Sequence, residues 1–320
     1  MTPRTYAATL ALMLLPGLAA GHSSDGEPCP EIESFDIKSV VSEEIGEPLL
    51  HVEQWQDDTL SHDCHDRFCW AHSSADKAPI WVVERLNRSI ACGDNERPSI
   101  KFKPEDKVDG YKAVDSDYTK SGFDRGHLAA SADFKSNLDW MKQTFTFANA
   151  VPQIGIGFNR SYWRFLEDNI QHLALSGRDM MVITGPIPVD PEGKRIVIPA
   201  SGQHCRHKVT LAGAQDLARP AICGAKDGAA KNDCEKGVAV PAGLFKIVYF
   251  RDSGRMFAFA MSNVDHRDLD DDWPDNDDYL DTWRVSVDAV EKVTGLEFFP
   301  EIDERLAKLN KRSCIATPRH

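Results

Sequence analysis

The sequence predicts an α+β fold built as one large domain, and three observations support this prediction. Residues 159–175 repeat apolar side chains at the three- and four-residue spacing of an amphipathic helix. Residues 245–250 and 256–261 are apolar runs on either side of Asp252-Ser253-Gly254, a pattern typical of two strands joined by a tight turn. The chain shows no internal repeat and no linker-like stretch, so helices and strands are expected to share one core.

The same local patterns predict further elements along the chain. They are a short amphipathic helix at 78–88, strands at 180–184 and 195–199, and helices at 287–294 and 302–310. Gly295 is the expected stop signal of the first of these late helices, because glycine tolerates the left-handed backbone that ends many helices. Residues 22–74 carry few periodic signals and are expected to form an irregular arm before a domain at 75–320.

Composition and charge exclude several classes of protein. Of 320 residues, 42% are hydrophobic and 27% are charged, which excludes a disordered or collagen-like chain. The 37 Lys and Arg against 50 Asp and Glu give a formal net charge of −13, which argues against a basic protein that coats DNA. A local basic groove is still compatible with this total, since residues 97–125 contain seven basic and six acidic side chains.

The amino terminus and the cysteines both predict export. Arg4 is the only charge in the first twenty residues, an apolar stretch follows, and small residues surround position 20, as in a signal peptide over 1–21. The alternative is a membrane anchor, for which the apolar run is short. Eight cysteines follow, an even count that favours disulfides, with Cys64/Cys69 and Cys223/Cys234 as local candidates. We therefore expect a secreted or periplasmic protein that has no membrane contact after cleavage and whose arm is tied by disulfides.

The residues that carry chemistry begin with Asp124-Arg125-Gly126-His127 and continue downstream with Asn149, Asn159 and Glu167. Cleavage of a phosphodiester needs a base for water, and a neutral histidine can accept that proton near neutral pH. An arginine can hold the phosphate through two donors. A hard cation such as Mg²⁺ takes oxygen ligands and stabilises the developing charge. These residues supply each of those parts.

This set of motifs resembles the DNA/RNA non-specific endonucleases, the family of the Serratia secreted nuclease and of endonuclease G. Besides the run at 124–127, the matching blocks are Asn-x-x-Pro-Gln at 149–153, and Asn159 followed four and eight residues later by Trp163 and Glu167. Weaker similarities extend the match over about residues 75–300. The resemblance implies a central antiparallel sheet flanked by helices, with a ββα-metal finger.

The resemblance also implies a role for each site residue. His127 would be the general base, and Asn159 would be the sole direct protein ligand of one Mg²⁺, Mn²⁺ or other divalent cation. Glu167 would hold metal-bound water, supported by Asn149. Arg125 would bind the phosphate, while Asp124 would position the finger. Arg97 is the best positional match to a second phosphate-binding arginine of the family.

One position departs from the family pattern, and several residues have simpler interpretations. Some members carry an arginine where this chain has Gln171, so further phosphate contacts would come from Arg160 or Arg164. Asn159 could merely cap its helix, and Glu167 could merely pair with Arg164. Arg97 could be a solvated side chain.

The function that the resemblance implies is hydrolysis of DNA and RNA with little sequence preference, leaving 5′-phosphate ends. The alternative from another class is a catalytically silent, disulfide-stapled nucleic-acid-binding protein on the same scaffold. Some relatives in the family are dimers, so a homodimer is also an expectation.

Overall fold

A computed structural model describes residues 28–50, 58–200, 205–223, 237–268, 277–302 and 310–314. In these ranges the strands are β1 (Leu49–Leu50), β2 (Leu60–Cys64), β3 (Phe68–Ser73), β4 (Ala78–Leu86), β5 (Phe123–His127), β6 (Ala150–Ile154), β7 (Met180–Ile187), β8 (Ile196–Ile198), β9 (Val209–Leu211), β10 (Ala221–Ile222), β11 (Val238–Ala239), β12 (Gly243–Phe250), β13 (Met256–Ser262), β14 (Arg284–Val285) and β15 (Leu296–Glu297). The α-helices are α1 (Ile37–Val40), α2 (Arg88–Ala91), α3 (Asp115–Tyr118), α4 (Leu138–Gln143), α5 (Arg164–Leu175), α6 (Asp277–Thr282) and α7 (Val287–Thr294).

The main sheet of the described residues has seven strands in the order β14-β13-β12-β7-β4-β3-β2, and every neighbouring pair is antiparallel. The α+β class with a central antiparallel sheet is therefore confirmed. Helix α1 packs against β3, and α7 packs against β13. All residues of β3, β4 and β13 are buried, so both faces of the inner strands are covered.

Two expectations for the first part of the chain are wrong. Residues 78–86 form the strand β4 instead of a helix. The prediction failed because an apolar run covered on both faces lacks the polar alternation that distinguishes a strand from a helix. Its β-branched and aromatic side chains suit a strand paired with β3 and β7. Residues 60–73, expected in an irregular arm, form β2 and β3 of the main sheet. The arm is thus part of the core in this stretch.

Later elements agree with the sequence patterns. The predicted strand at 180–184 lies in β7, and the predicted hairpin at 245–261 is the pair β12 and β13. Helix α7 ends at Gly295, which adopts the left-handed backbone with φ of +68°. The signal peptide and most of the helix expected at 302–310 lie outside the described residues.

Disulfides join distant parts of the chain. Among the described residues the bonds are Cys29–Cys92 and Cys205–Cys314, which span 63 and 109 positions, and the local Cys64–Cys69. The local Cys64–Cys69 loop is confirmed, whereas Cys234 of the other expected local pair lies outside the described residues. None of the helices in the described part of the chain combines the length and apolar character needed to cross a bilayer.

Candidate active site

A two-stranded antiparallel unit and one helix carry the residues that the sequence singles out. Strand β5, which contains 124–127, pairs with β6 in a register that sets Asp124 opposite Gln153 and His127 opposite Ala150. The helical segment Gly155–Trp163 follows β6 and continues into α5. Its backbone becomes regularly helical only after Gly157, since Ile156 and Gly157 have non-helical angles. This strand–strand–helix arrangement is the expected ββα finger.

Gly126 is explained by the close approach of a buried side chain. A Cβ at this position would lie 2.0 Å from Cδ of Gln153, which is fully buried over the strand. The Gln153 amide nitrogen donates to the His127 carbonyl at 3.4 Å. The glycine of the motif at 124–127 and the glutamine of the motif at 149–153 therefore pack directly against each other.

His127 lies at the end of β5 in an aromatic pocket. Its ring centroid is 4.7 Å from that of Phe102 and 4.9 Å from that of Phe145, and only 8% of the residue is accessible. Burial, with a smaller contribution from the charge of Arg97, lowers the pKa of His127 to about 3. Nε2 has no hydrogen-bond partner among the described residues. The imidazole is thus held neutral, and its unpartnered Nε2 is buried.

Arg97 is placed next to this pocket. Its guanidinium carbon lies 5.3 Å from the centroid of Phe145, the ring that contacts His127. The side chain is otherwise exposed, and it is close enough to His127 to influence the pKa of the imidazole. A cation beside the base, open to solvent, is the arrangement that a phosphate-binding residue requires.

Asp124 connects the finger strand to the start of the helix. Its carboxylate accepts a hydrogen bond from Asn159 Nδ2 at 2.9 Å and two from the Arg160 guanidinium, at 2.7 Å from Nε and 2.5 Å from Nη2. Because Asp124 and His127 are three residues apart on one strand, their Cα atoms lie about 10 Å apart. Because side chains three positions apart leave opposite faces of a strand, the contact with Asp124 ties Asn159 to the strand that carries His127, and not to the face of the imidazole.

The remaining arginines differ in their surroundings. Arg125 forms an ion pair with Asp115 at 2.8 Å, and its Nε is buried without a partner among the described residues. Arg164 is exposed, and its Nε lies 3.7 Å from Asp168, not against Glu167. Arg160 already uses two nitrogens on Asp124, so its geometry favours a positioning role over a phosphate contact.

Asn149 is wholly buried and supports the loop after His127. Its Oδ1 accepts from the Ala129 amide at 2.8 Å, and its Nδ2 donates to the carbonyls of Ala129 and Thr144, each at 3.0 Å. The Leu128 amide donates to the Asn149 carbonyl at 3.0 Å. Asn149 thus fixes the two residues that follow the histidine.

Glu167 lies two turns along the helix from Asn159, half-buried, with Oε1 lacking a partner among the described residues. Burial raises the pKa of its carboxyl to about 8, opposed by the charge of Lys246. Next to Glu167, Trp163 is fully buried and serves as core. At the position of the expected family arginine, Gln171 donates to the Ala132 carbonyl.

The donor set fits a single hydrated divalent cation. The bond from Asn159 Nδ2 to Asp124 leaves Oδ1 as the atom suited to a hard cation. Unpartnered polar atoms on His127 and Glu167 are suited to water or phosphate oxygens. In the described ranges, no group of three or more His, Cys, Asp or Glu side chains could hold a metal. A site with one amide ligand would be completed by waters and substrate.

Three residues near the site had no role assigned from the sequence. Lys246, Glu84 and Asp133 are buried beside the finger, two of them inside apolar strands. An ionisable residue within a fully buried apolar run is the sequence signal that could have identified Lys246 and Glu84.

The loop after β13 also supports the finger. The Asn263 amide nitrogen donates to the Pro152 carbonyl at 2.9 Å, and its Oδ1 accepts from the Ile154 amide at 3.0 Å. Asp265 lies close to Gly157, and a Cβ added to Gly157 would be 1.8 Å from Oδ1 of Asp265. These contacts hold β6 and the start of the helix, and nothing in the local sequence pattern indicated them.

Comparisons with known proteins point to one family. Residues 53–305 match the family described as DNA/RNA non-specific endonuclease. Nuclease C1 of Cunninghamella echinulata var. echinulata is 29% identical over 236 residues, which cover 73% of this chain and 80% of that protein. Human mitochondrial endonuclease G is 29% identical over 237 residues, covering 73% and 67%.

Two further matches extend the comparison. The mitochondrial nuclease EXOG of Xenopus laevis is 28% identical over 271 residues, covering 82% of this chain and 62% of that protein. A solved structure of EndoG in complex with EndoGI has a TM-score of 0.56 and 23% identity, covering 77% of this chain and 88% of that chain. This structural likeness supports the fold.

Proposed function

Because the chain belongs to the DNA/RNA non-specific endonuclease family, we propose that it is a metal-dependent hydrolase that cuts phosphodiester bonds of both DNA and RNA with little sequence preference. The observation that carries the proposal is the neutral, buried His127, held on the same strand as the partner of Asn159. The products would carry 5′-phosphate ends, as the family resemblance implies.

His127 would accept the proton of the attacking water. A base must be deprotonated before it can act, and the pKa of about 3 keeps the imidazole neutral at every pH above about 4. Packing of the ring against Phe102 and Phe145 fixes its orientation, so little freedom is lost when the water is bound.

Arg97 and Arg125 would bind the phosphate. Arg97 is exposed beside the histidine pocket, and Arg125 lies on the same strand as His127, with Nη2 on Asp115 and Nε buried. Arg164, exposed on α5, would contact the backbone farther along. These cations give local attraction to a polyanion in a chain of net charge −13.

Asn159 would hold a divalent ion, Mg²⁺ or one of similar chemistry, which supplies stabilisation of the negative charge on phosphate. Asp124 and Arg160 would orient the Asn159 amide so that its oxygen is left for the ion. Glu167 would order water by accepting hydrogen bonds at its unpartnered oxygen. Asn149 would keep the histidine loop in place.

The proposal is tested by digestion of plasmid, single-stranded DNA and RNA in Mg²⁺, Mn²⁺ or EDTA. His127→Ala should lower turnover by about 10²–10⁴-fold without loss of substrate binding. His172→Ala, an exposed histidine on α5, is the matched control and should keep its rate. Near-normal rates for His127→Ala would remove the assignment of the base, and a wild type that binds but never cuts would support a silent binding protein.

We also propose export to an oxidising compartment. Three disulfides among the described residues and the signal-like start both favour secretion or a periplasmic location. Amino-terminal sequencing of the exported protein tests this, with a start near residue 21 or 22 as the expected result. An intact amino terminus in a reducing compartment would contradict it.

A further inference from the structure

A lysine is buried between the main sheet and the loop that follows His127. Lys246 lies in the middle of β12 and is 1% accessible. Its ammonium donates to Thr184 Oγ1 of β7 at 2.8 Å and to the Leu128 carbonyl at 3.1 Å. Nζ also lies 5.4 Å from the ring centroid of Trp163, on the metal-binding helix. Because an ammonium is strongly hydrated in water, burying it is unfavourable unless several groups oppose its charge.

The first consequence concerns the backbone next to the proposed base. Leu128 follows His127 directly, and its carbonyl is one of the acceptors of the ammonium. On the other side, Asn149 holds the Leu128 amide through its carbonyl and holds Ala129 through its side chain. The two residues after His127 are therefore held from both sides, by Asn149 of the finger and by Lys246 of the sheet.

The second consequence concerns charge. Three carboxyl groups from different elements lie within electrostatic reach of the ammonium: Glu84 on β4, Asp133 after β5, and Glu167 on α5. Both oxygens of Glu84 and one oxygen of Glu167 are buried without a hydrogen-bond partner among the described residues. One cation thus faces three buried acids.

Burial and the neighbouring charges shift the pKa values of these acids in opposite directions. Burial raises the pKa of Asp133 to about 7 and that of Glu167 to about 8, and it raises the pKa of Glu84 strongly. The charges of Asp133 and Glu167 raise the pKa of Glu84, Asp133 also raises that of Glu167, and Asp168 raises the pKa of both Asp133 and Glu167. The positive charge of Lys246 lowers the pKa of all three carboxyl groups.

We propose that Lys246 is a positioning residue of the nuclease reaction, which fixes the backbone after His127 through the Leu128 carbonyl and provides the positive charge against which Glu167 is buried. This inference rests on the proposed roles of His127 and Glu167. It adds a sheet residue that acts through both of them without contact to substrate.

The test compares three variants with the wild type. Lys246→Met keeps the length and the apolar stem of the side chain but removes the ammonium. Lys311→Met is the matched control, because Lys311 is also buried and donates to a carboxylate, Glu291, at 2.7 Å on α7. Lys246→Met with Glu84→Gln removes one buried acid together with the lysine, to recover folding if the single variant is unstable.

The measurements are kcat and KM on duplex DNA at saturating Mg²⁺ between pH 5 and 9, with thermal melts of each variant. Lys246→Met should lower kcat at pH 7 by at least about tenfold with KM changed by less than about threefold, since the base and its loop shift while the exposed phosphate contacts persist. Glu167 orders water as the carboxylate, so the rate should rise with pH as this group ionises, and that rise should move to higher pH when the opposing cation is removed. Lys311→Met should lower the melting temperature and leave the pH profile in place.

The double variant separates positioning from stability. Glu84→Gln in the Lys246→Met background should recover the melting temperature but not kcat, because the Leu128 carbonyl still lacks its donor. Recovery of both, or an unchanged kcat and pH profile in Lys246→Met, would overturn the inference. If His127→Ala is inactive in that case, only the role of Lys246 fails. If His127→Ala retains full turnover, the proposed function fails as well.

Discussion

Asn149→Ala tests how the finger is held together. The side chain is fully buried and makes three hydrogen bonds, one accepted from the Ala129 amide and two donated to the carbonyls of Ala129 and Thr144. Alanine makes none of them, so three backbone groups would be left buried without this partner. The perturbation is local, and it falls on the loop that fixes His127.

The magnitude follows from the number of groups left unpaired. Each buried polar group without a partner costs about 1–3 kcal/mol, and relaxation or entering water offsets part of this. We therefore expect a loss of about 3–5 kcal/mol in the free energy of unfolding, at the high end for a point substitution. For a chain of 320 residues this corresponds to a fall of about 4–8 °C in melting temperature.

Urea unfolding followed by circular dichroism, with thermal melts, measures this loss. Asn137→Ala is the matched control, because Asn137 caps α4 through hydrogen bonds to the amides of Asp139 and Trp140. Loss of such a cap costs about 1 kcal/mol. An Asn149→Ala variant no less stable than Asn137→Ala would refute the reasoning, since the three bonds would then contribute no more than a single surface cap.

Three other predictions concern the site. Glu167→Gln should reduce the fall in melting temperature that the wild type shows between pH 5 and 9, measured with EDTA present. The folded pKa of about 8 exceeds the unfolded value, so the carboxyl's contribution is full below about pH 4.5 and is lost as pH rises through 8; equal slopes would contradict this. Asp124→Ala should raise the half-saturating Mg²⁺ concentration by about tenfold in activity titrations, because Asn159 loses its orienting partner, and an unchanged titration would argue against that role. Gly157→Ala should lower the free energy of unfolding in urea melts more than Gly177→Ala does. Both glycines have positive φ, but only at Gly157 would the added Cβ clash with Asp265. Equal losses for the two variants would show that the clash is relieved by a shift of Asp265.

Local patterns were sufficient for much of the finger and the late elements. Helical spacing identified the amphipathic α5, and a turn between two apolar runs identified β12 and β13, because both signals lie within a few consecutive residues. The resemblance to the endonuclease family, and not a local pattern, places the motif at 124–127 and its downstream partners in one site. The structure brings Asp124 and Asn159 into contact across 35 positions.

The elements that local patterns missed are those covered on both sides. Strand β4 has no polar face, so its periodicity could not distinguish strand from helix, and only its pairing with β3 and β7 decides. The strands β2 and β3 were missed for a related reason. All residues of β3 are buried, and β2 is the edge strand of the sheet, where it pairs with β3.

The sequence by itself determined which chemical groups are present and their spacing along the chain: a histidine, an amide and a carboxylate within 41 positions, with arginines around them. Only the tertiary structure decided which charges oppose one another. Asp124 engages Arg160, and Lys246 reaches across the sheet to the loop after His127. The physical reason is that the strength of a charge pair depends on distance and on exclusion of water, and both are properties of the folded chain.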